Sequence, residues 1–330
     1  LSFCSRKDIS RYSGKELMKL YVCALVSIFI AVCSQAQEPL RLGVLLIEDS
    51  VPLYVAEKEE LYGAHGVDVE LIPFLSALER DSALTAGAID GAVSDPVGAL
   101  LFDRGRGIIK ITSLLLGKTP EEGVFAILSS PDSNLYSVDD LKNVAIAVSN
   151  ATIIEYVTER LLEDTGFLPS EIHTIEVRKM AIRMQMLLAD SVKAATLPEP
   201  LASIAASRGA HVLLRDSDGK GSLSQTVIIF RTAVLENRLT EVQRFFGALS
   251  QAVDMINTSP ETFRELFVEK SRLPPFLAEE YAIPRYPEPE PFDRMLYGQV
   301  SDWLISKKLI EPIPYSSMVA ADGVQAPEEK

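Results

Sequence analysis

One pattern of short apolar runs and helical stretches occurs twice in this chain at nearly the same spacing. In the first copy, residues 42–47 (LGVLLI) read as a buried strand. Asp49 and Ser50, good N-cap types, and Pro52 open a helical stretch to residue 62, which Gly63 and Gly66 end. Residues 67–71 alternate as a strand, 77–86 read as a helix closed by Gly87, and 91–93 form a short strand. Ser94-Asp95-Pro96 and a further helix to residue 102 follow. The second copy runs 144–148 (strand), Ser149-Asn150 (cap), 153–164 (helix, closed by Gly166), 172–177 (strand), 180–188 (helix) and 192–196 (strand). It ends on Pro198-Glu199-Pro200 and a helix to residue 207. From the end of the first strand to the acid that precedes proline is 48 residues in one copy and 51 in the other.

Strands alternating with helices imply parallel sheets with right-handed crossovers. Two such units of similar size predict an α/β chain folded as two lobes. Residues 123–128 and 226–230 are apolar strand candidates at the two junctions, so the lobes should be joined by a two-strand hinge. The expected division is 37–126 with 229–330 for lobe one and 127–228 for lobe two. Residues 240–256, 261–270 and 293–307 read as helices that pack back on lobe one.

The N-terminal 36 residues read as an export signal rather than as part of the fold. Residues 20–33 (LYVCALVSIFIAVC) are uncharged, follow Lys19 and precede Ser34-Gln35-Ala36. The run is shorter than the roughly 20 residues a membrane-spanning helix needs, and a basic flank with small residues behind it marks a signal peptide. Met18 is then the expected start and Ala36 the cleavage point, placing the protein in the periplasm or another extracytoplasmic space. Cys33 offers lipidation as an alternative, although Val32 is bulkier than the usual residue before a lipidated cysteine. All three cysteines (Cys4, Cys23, Cys33) lie in this segment, so the chain from Gln37 has no thiol for a disulfide, a nucleophile or a metal.

Net charge is −14, and removing five basic and two acidic residues with the signal makes it −17. No basic stripe is present, so nucleic acid is excluded as a partner, and an anionic membrane surface is excluded for the body of the protein.

Ligands of parallel α/β sheets bind beyond the carboxyl ends of the strands, where helix N-termini present free N–H groups. Here those ends carry Glu48, Asp49 and Ser50, then Ser94 and Asp95, then Ser149, Asn150 and Thr152, then Glu199. Gln225 lies beside the second crossing and could add an amide. These ten residues are the expected ligand-binding set. Ser50, Ser149 and Asn150 serve equally as helix caps, and Asp95 and Glu199 as caps or solvated acids. Several carboxylates facing one cleft favour a cationic or donor-rich solute over a bare anion. Tyr54, Tyr156 and Phe74 are candidate stacking partners that fit a core equally well.

Motifs for covalent chemistry are missing from the sequence: there is no GxSxG elbow, P-loop or GxGxxG. His65, His173 and His211 are not at metal-ligand spacing, and residues 216–221 (DSDGKG) read as a polar turn without the distant glutamate of a calcium loop. No catalytic residue, metal or cofactor is expected.

Residues 43–62 with 86–92 (AGAIDGA), and residues 137–147 (SVDDLKNVAIA) with 186–195 (MLLADSVKAA), resemble the solute-binding proteins of ABC importers for nitrate, sulfonates, taurine and thiamine-pyrimidine precursors. The resemblance spans about residues 40–310. It implies a bilobal periplasmic-binding-protein fold of the second topological type that closes on a small polar organic solute (amine, pyrimidine or sulfonate-like). It also implies a monomer that hands the solute to a membrane permease and its ATPase. Glu48-Asp49 sits poorly with the sulfonate and nitrate members. The alternatives are an enzyme on the same fold, of pyrimidine-synthase or menaquinone-pathway type, or a ligand-presenting sensor. The synthase type brings a PLP lysine, clustered histidines and a Cys-rich motif, which this chain's three scattered histidines do not match.

Overall fold

The computed structural model describes residues 38–320. The expected signal segment, its cleavage point and Cys33 lie outside the described residues. The chain begins with strand β1 (Leu40–Leu45), helices α1 (Val51–Lys58) and α2 (Leu61–Ala64), β2 (Val69–Phe74) and α3 (Ala77–Thr85). It continues through β3 (Gly91–Ser94), α4 (Pro96–Asp103) and β4 (Ile109–Leu116). Strand β5 (Phe125–Ser129) enters the second half, followed by β6 (Ala145–Val148), α5 (Ile153–Asp164), β7 (His173–Glu176) and α6 (Met180–Leu188). After β8 (Ala194–Pro198), α7 (Leu201–Ser207) and β9 (His211–Arg215), strand β10 (Thr226–Arg231) returns to the first half. The tail is helical: α8 (Thr232–Thr258), α9 (Arg264–Lys270), α10 (Arg294–Ser306) and α11 (Tyr315–Met318).

The duplication is exact in topology. One sheet has the order β2-β1-β3-β10-β4 and the other β7-β6-β8-β5-β9. Each sheet is mixed rather than all parallel as the alternation suggested. The reason is the hinge: β10 runs antiparallel to β3 and β4, and β5 antiparallel to β8 and β9, because each arrives from the opposite lobe. The two expected crossings are therefore present, and each supplies the fourth strand of the lobe it enters. Strands β4 and β9 complete the sheets and have no counterpart in the sequence reading.

The crossings touch one another. Gly117 has φ of +84°, and a Cβ there would sit 2.9 Å from the Gln225 Cα, so only glycine fits this approach. Glu122 Oε2 accepts from the N–H groups of Gly117 and Lys118, both at 2.8 Å. Asp216 reaches across to accept from the N–H groups of Val124 (3.2 Å) and Phe125 (3.0 Å).

Local rules explain most helix starts. Asp95 is the N-cap of α4, accepting from Gly98 N at 2.7 Å, and Ser76 caps α3. Two expected caps are corrected. Ser50 precedes α1 but is itself in the right-handed helical region and caps nothing through its side chain. Thr152, not Ser149 or Asn150, caps α5. The first helix also ends earlier than expected, because Glu60 takes a left-handed conformation and splits it from α2.

The tail packs against elements of the first half: α8 lies on α1 and α2, α10 on α4, and α11 beside β4. Helix α10 also ties the lobes together. Trp303, 2% exposed, donates Nε1–H to Glu159 of α5 at 2.8 Å and packs edge-on against Tyr156, ring centroids 5.4 Å apart. Lys307 pairs with Glu155 (3.1 Å) and with Glu159. Through these side chains one apolar cluster runs from Ile89, Leu100 and Ile229 of lobe one to Ile127, Ile146 and Leu161 of lobe two. Tyr54 and Tyr156 are core residues, and Phe74 packs at its edge.

Candidate functional site

Carboxylates at the ends of several strands lie near one another. After β1, residues Glu48–Ser50 make a 3-10 turn in which all three side chains are buried. Tyr281 donates its hydroxyl to Glu48 Oε2 at 2.6 Å, and Tyr286 donates to the Glu48 carbonyl at 2.7 Å. Burial pushes the Glu48 carboxyl up to about 8, against the pull of the Tyr281 hydroxyl and with added repulsion from Glu199, Asp49 and Asp216. Asp49 is raised to about 6, again by burial, although Ser50 donates to it at 2.9 Å; Asp95 adds repulsion and Arg80 opposes it. The Asp95 carboxyl, bound to its helix cap, is raised by burial as well.

Lobe two contributes Glu199 and Asp216. Glu199 accepts from Arg215 Nη1 at 2.9 Å and from Ser203 N, in the first turn of α7, at 3.1 Å. It thus plays toward α7 the part Asp95 plays toward α4, which explains the matched acid-proline steps. Asp216, read from sequence as part of a polar turn, is 2% exposed, and burial raises its carboxyl to about 6. Glu48 of lobe one therefore shares a field with Glu199 and Asp216 of lobe two. Among the described residues, no group of three or more His, Cys, Asp or Glu is arranged to hold a metal ion.

Two arginines belong to the same region and were not anticipated. Arg80 is the fourth residue of α3 and Arg183 the fourth of α6, equivalent positions in the two copies. Arg80 donates to the Val93 carbonyl (2.6 Å) and to Ser94 Oγ (3.3 Å). Arg183, fully buried, donates to the carbonyls of Thr196 (2.9 Å) and Val177 (2.8 Å) and to Ser149 Oγ. Each guanidinium pins the end of a lobe's third parallel strand. Burial lowers the Arg183 pKa to about 10, leaving it charged at neutral pH. Overlaying the two copies would have found this pair.

The other expected residues are placed as follows. Ser94 is buried under Arg80. Ser149 is held by Arg183 and donates to the Arg178 carbonyl at 3.1 Å. Thr152 donates to the Ser149 carbonyl at 2.7 Å. Asn150 is exposed at the same loop. Gln225 is 1% exposed beside the hinge, its amide donating to the Ser222 carbonyl at 2.7 Å while its Oε1 has no hydrogen-bond partner. The histidines sit apart: His65 pairs with Gln251, His173 with Asn143, and His211 packs on Tyr136.

A groove of about 720 Å³ lies elsewhere, between α5, α10 and the two crossings, and is lined by Leu114, Pro120, Tyr156, Arg160, Ser222 and Gln299. None of the ten expected residues lines it. Its walls combine the sides of α5 and α10 with the end of β4 and residues of both crossings, but none of the acids Glu48, Asp49, Asp95, Glu199 or Asp216 lines it, so the acid knot remains the better candidate site.

Comparison with known proteins supports the architecture. The alkanesulfonate-binding protein SsuA from Xanthomonas axonopodis pv. citri, bound to MOPS, is similar with a TM-score of 0.68 and 20% identity over 84% of this chain and 96% of that one. The ligand-binding component of an ABC-type import system from Staphylococcus aureus, with zinc bound, gives 0.72 and 17% over 87% and 98%. The DSZB C27S mutant in complex with biphenyl-2-sulfinic acid gives 0.61 and 12% over 86% and 98%. At these identities the likeness shows the two-lobed periplasmic-binding-protein fold. No curated protein sequence matches significantly. The model of the family described as NMT1/THI5 like matches residues 48–263, about two thirds of the chain, from the Glu48 turn into the tail helices. This chain belongs to the NMT1/THI5-like family.

Proposed function

We propose that this protein is the extracytoplasmic solute-binding component of an ABC importer and that it takes a small cationic or donor-rich organic solute, of amine or aminopyrimidine type, between its lobes. The observation that carries the reading is the set of acids contributed by both lobes to one buried region: Glu48, Asp49 and Asp95 against Glu199 and Asp216. Buried carboxylates held neutral or repelling one another are relieved when a cation or a strong donor arrives. The nearby guanidinium of Arg80 is engaged with the Val93 carbonyl, Ser94 and the Asp81 carboxylate, and that of Arg183 with carbonyls and Ser149, so neither faces a free anion. The solute would then pass to a permease driven by an ATPase, the binding protein acting as a monomer. The fold neighbours named for import and solute binding support the same reading.

A zwitterion is the second reading, favoured by one observation. Arg183 is a buried cation whose bonds all go to carbonyls and Ser149. A solute with an anionic end could lie toward it. The test is thermal unfolding of the purified protein with putrescine, 4-aminopyrimidine, taurine, methanesulfonate and nitrate. A solute that prefers the native state raises Tm by several degrees at roughly a hundredfold excess over Kd. Putrescine or 4-aminopyrimidine should do so. A shift with nitrate or methanesulfonate alone would refute the cationic reading, and one with taurine alone would favour the zwitterion. Conversion of any of these compounds on incubation would restore the enzyme alternative.

A further inference from the structure

We propose that residues 274–290 form a strap across the cleft and that the Tyr281 hydroxyl stands on Glu48 in place of the solute's donor group. This rests on the cleft being the solute site and adds to it an internal competitor.

The strap is built to be held by side chains. It contains Pro274, Pro275, Pro284, Pro287 and Pro289. Proline has no N–H to donate to a backbone ladder. Its moorings come from lobe one and the tail. Arg264 Nη1 donates to the carbonyls of Ala278 (2.8 Å) and Tyr281 (3.0 Å). Asn257 brackets Tyr286, accepting its N–H at 2.9 Å and donating to its carbonyl at 2.7 Å. Leu114 of β4 donates its N–H to the Glu290 carbonyl at 2.8 Å. From these points the strap reaches over to lobe two. Leu277 packs on the cluster of lobe one and the tail, and also on a cluster formed by lobe two residues such as Ala126, Met184 and Leu197.

The strap covers the Glu48 carboxyl. Glu48 is 6% exposed, and Tyr281, itself half-buried and 233 residues away in sequence, supplies the donor it needs. A buried carboxyl left without a donor would be strongly disfavoured, so the tyrosine hydroxyl stabilises Glu48 where it lies. A solute can reach Glu48 only by moving the strap, and it must replace the hydroxyl with a donor of its own. Tyr281 therefore lowers the affinity for every solute and discriminates most against those without a donor.

The test compares wild type with Tyr281→Phe, which keeps the ring and removes the hydroxyl. Hydrogen exchange is followed in peptides covering 274–290 without any solute. Exchange there should quicken roughly tenfold or more in the variant, as expected for loss of a hydrogen bond to a carboxylate, while peptides from β1 and β3 stay unchanged. Unchanged exchange in the strap would overturn the proposal. Calorimetric titration with 4-aminopyrimidine and with putrescine should give a Kd in the variant roughly tenfold lower than in wild type; an equal or higher Kd would also overturn it. If neither compound binds either protein, the cationic-solute reading fails, and the solute-free exchange result still decides the strap.

Discussion

Replacing Glu48 with glutamine preserves the shape of the side chain and its capacity to accept from Tyr281, and removes the charge. In the folded protein burial raises the carboxyl from 4.5 to about 8. Each unit of that rise corresponds to about 1.4 kcal/mol between the two protonation states. The unfolded chain releases the proton near 4.5 while the folded chain keeps it until about 8. The stability associated with the protonated carboxyl is therefore full below 4.5 and is lost as pH climbs toward 8. Integrated over the window from roughly pH 6 to 8, wild type should lose about 2 kcal/mol through this group alone. Asp49 and Asp216, raised only to about 6, lose most of their share below that window. Urea unfolding of both proteins at pH 6, 7 and 8 measures the difference. Wild type should fall by about 2 kcal/mol more than Glu48→Gln over the range. Parallel pH profiles would show that Glu48 is ionised in the native state and would undo the electrostatic account of the site.

The same linkage predicts that binding a cation expels a proton. Affinity for putrescine should rise between pH 6 and 8 by up to roughly tenfold per unit, and titrations in buffers of different ionisation enthalpy should report proton release; zero release refutes it. Asp95→Ala and Glu199→Ala should each weaken binding by roughly tenfold or more, whereas Asp254→Ala on the exposed side of α8 should not; equal affinity in all three removes the cleft assignment. Arg183→Met should destabilise the fold by about 2–4 kcal/mol, because it leaves the Val177 and Thr196 carbonyls without their donor, and a denaturation midpoint within error of wild type would deny its pinning role. Gly117→Ala should cost about 1–3 kcal/mol from its left-handed backbone and the nearby second crossing, read by the same unfolding experiment.

Much of the scaffold was legible because the two copies reinforce one another. The helix at Met180–Leu188 has the bounds its apolar spacing indicates, and the two crossings fall within a residue or two of their apolar runs. Strand direction was not legible: an apolar run reads the same whether its neighbour is parallel or antiparallel, so β5 and β10 reverse only in three dimensions. Strand β4 is a continuous buried run without periodicity, and β9 is half-buried throughout, which leaves neither pattern to read. In the proposed site, topology pointed to Glu48, Asp49, Asp95 and Glu199 as neighbours. Asp216 was hidden in a stretch that looks solvated. Arg80 and Arg183 look like ordinary charges on helix surfaces until the copies are overlaid. Tyr281 sits in a proline-rich stretch far along the chain, and nothing in local sequence links it to Glu48.

Trp303 is the chain's single tryptophan, and it sits where α10 of one lobe meets α5 of the other. Any parting of the lobes about the crossings at 117–124 and 216–225 must draw the indole away from Tyr156 and the Glu159 carboxylate and wet it. Its emission would move to longer wavelength on opening and return on capture of a solute. If the lobes close on a solute as proposed, the indole would serve as an optical gauge of that motion, with no label to attach and no competing fluorophore of the same kind.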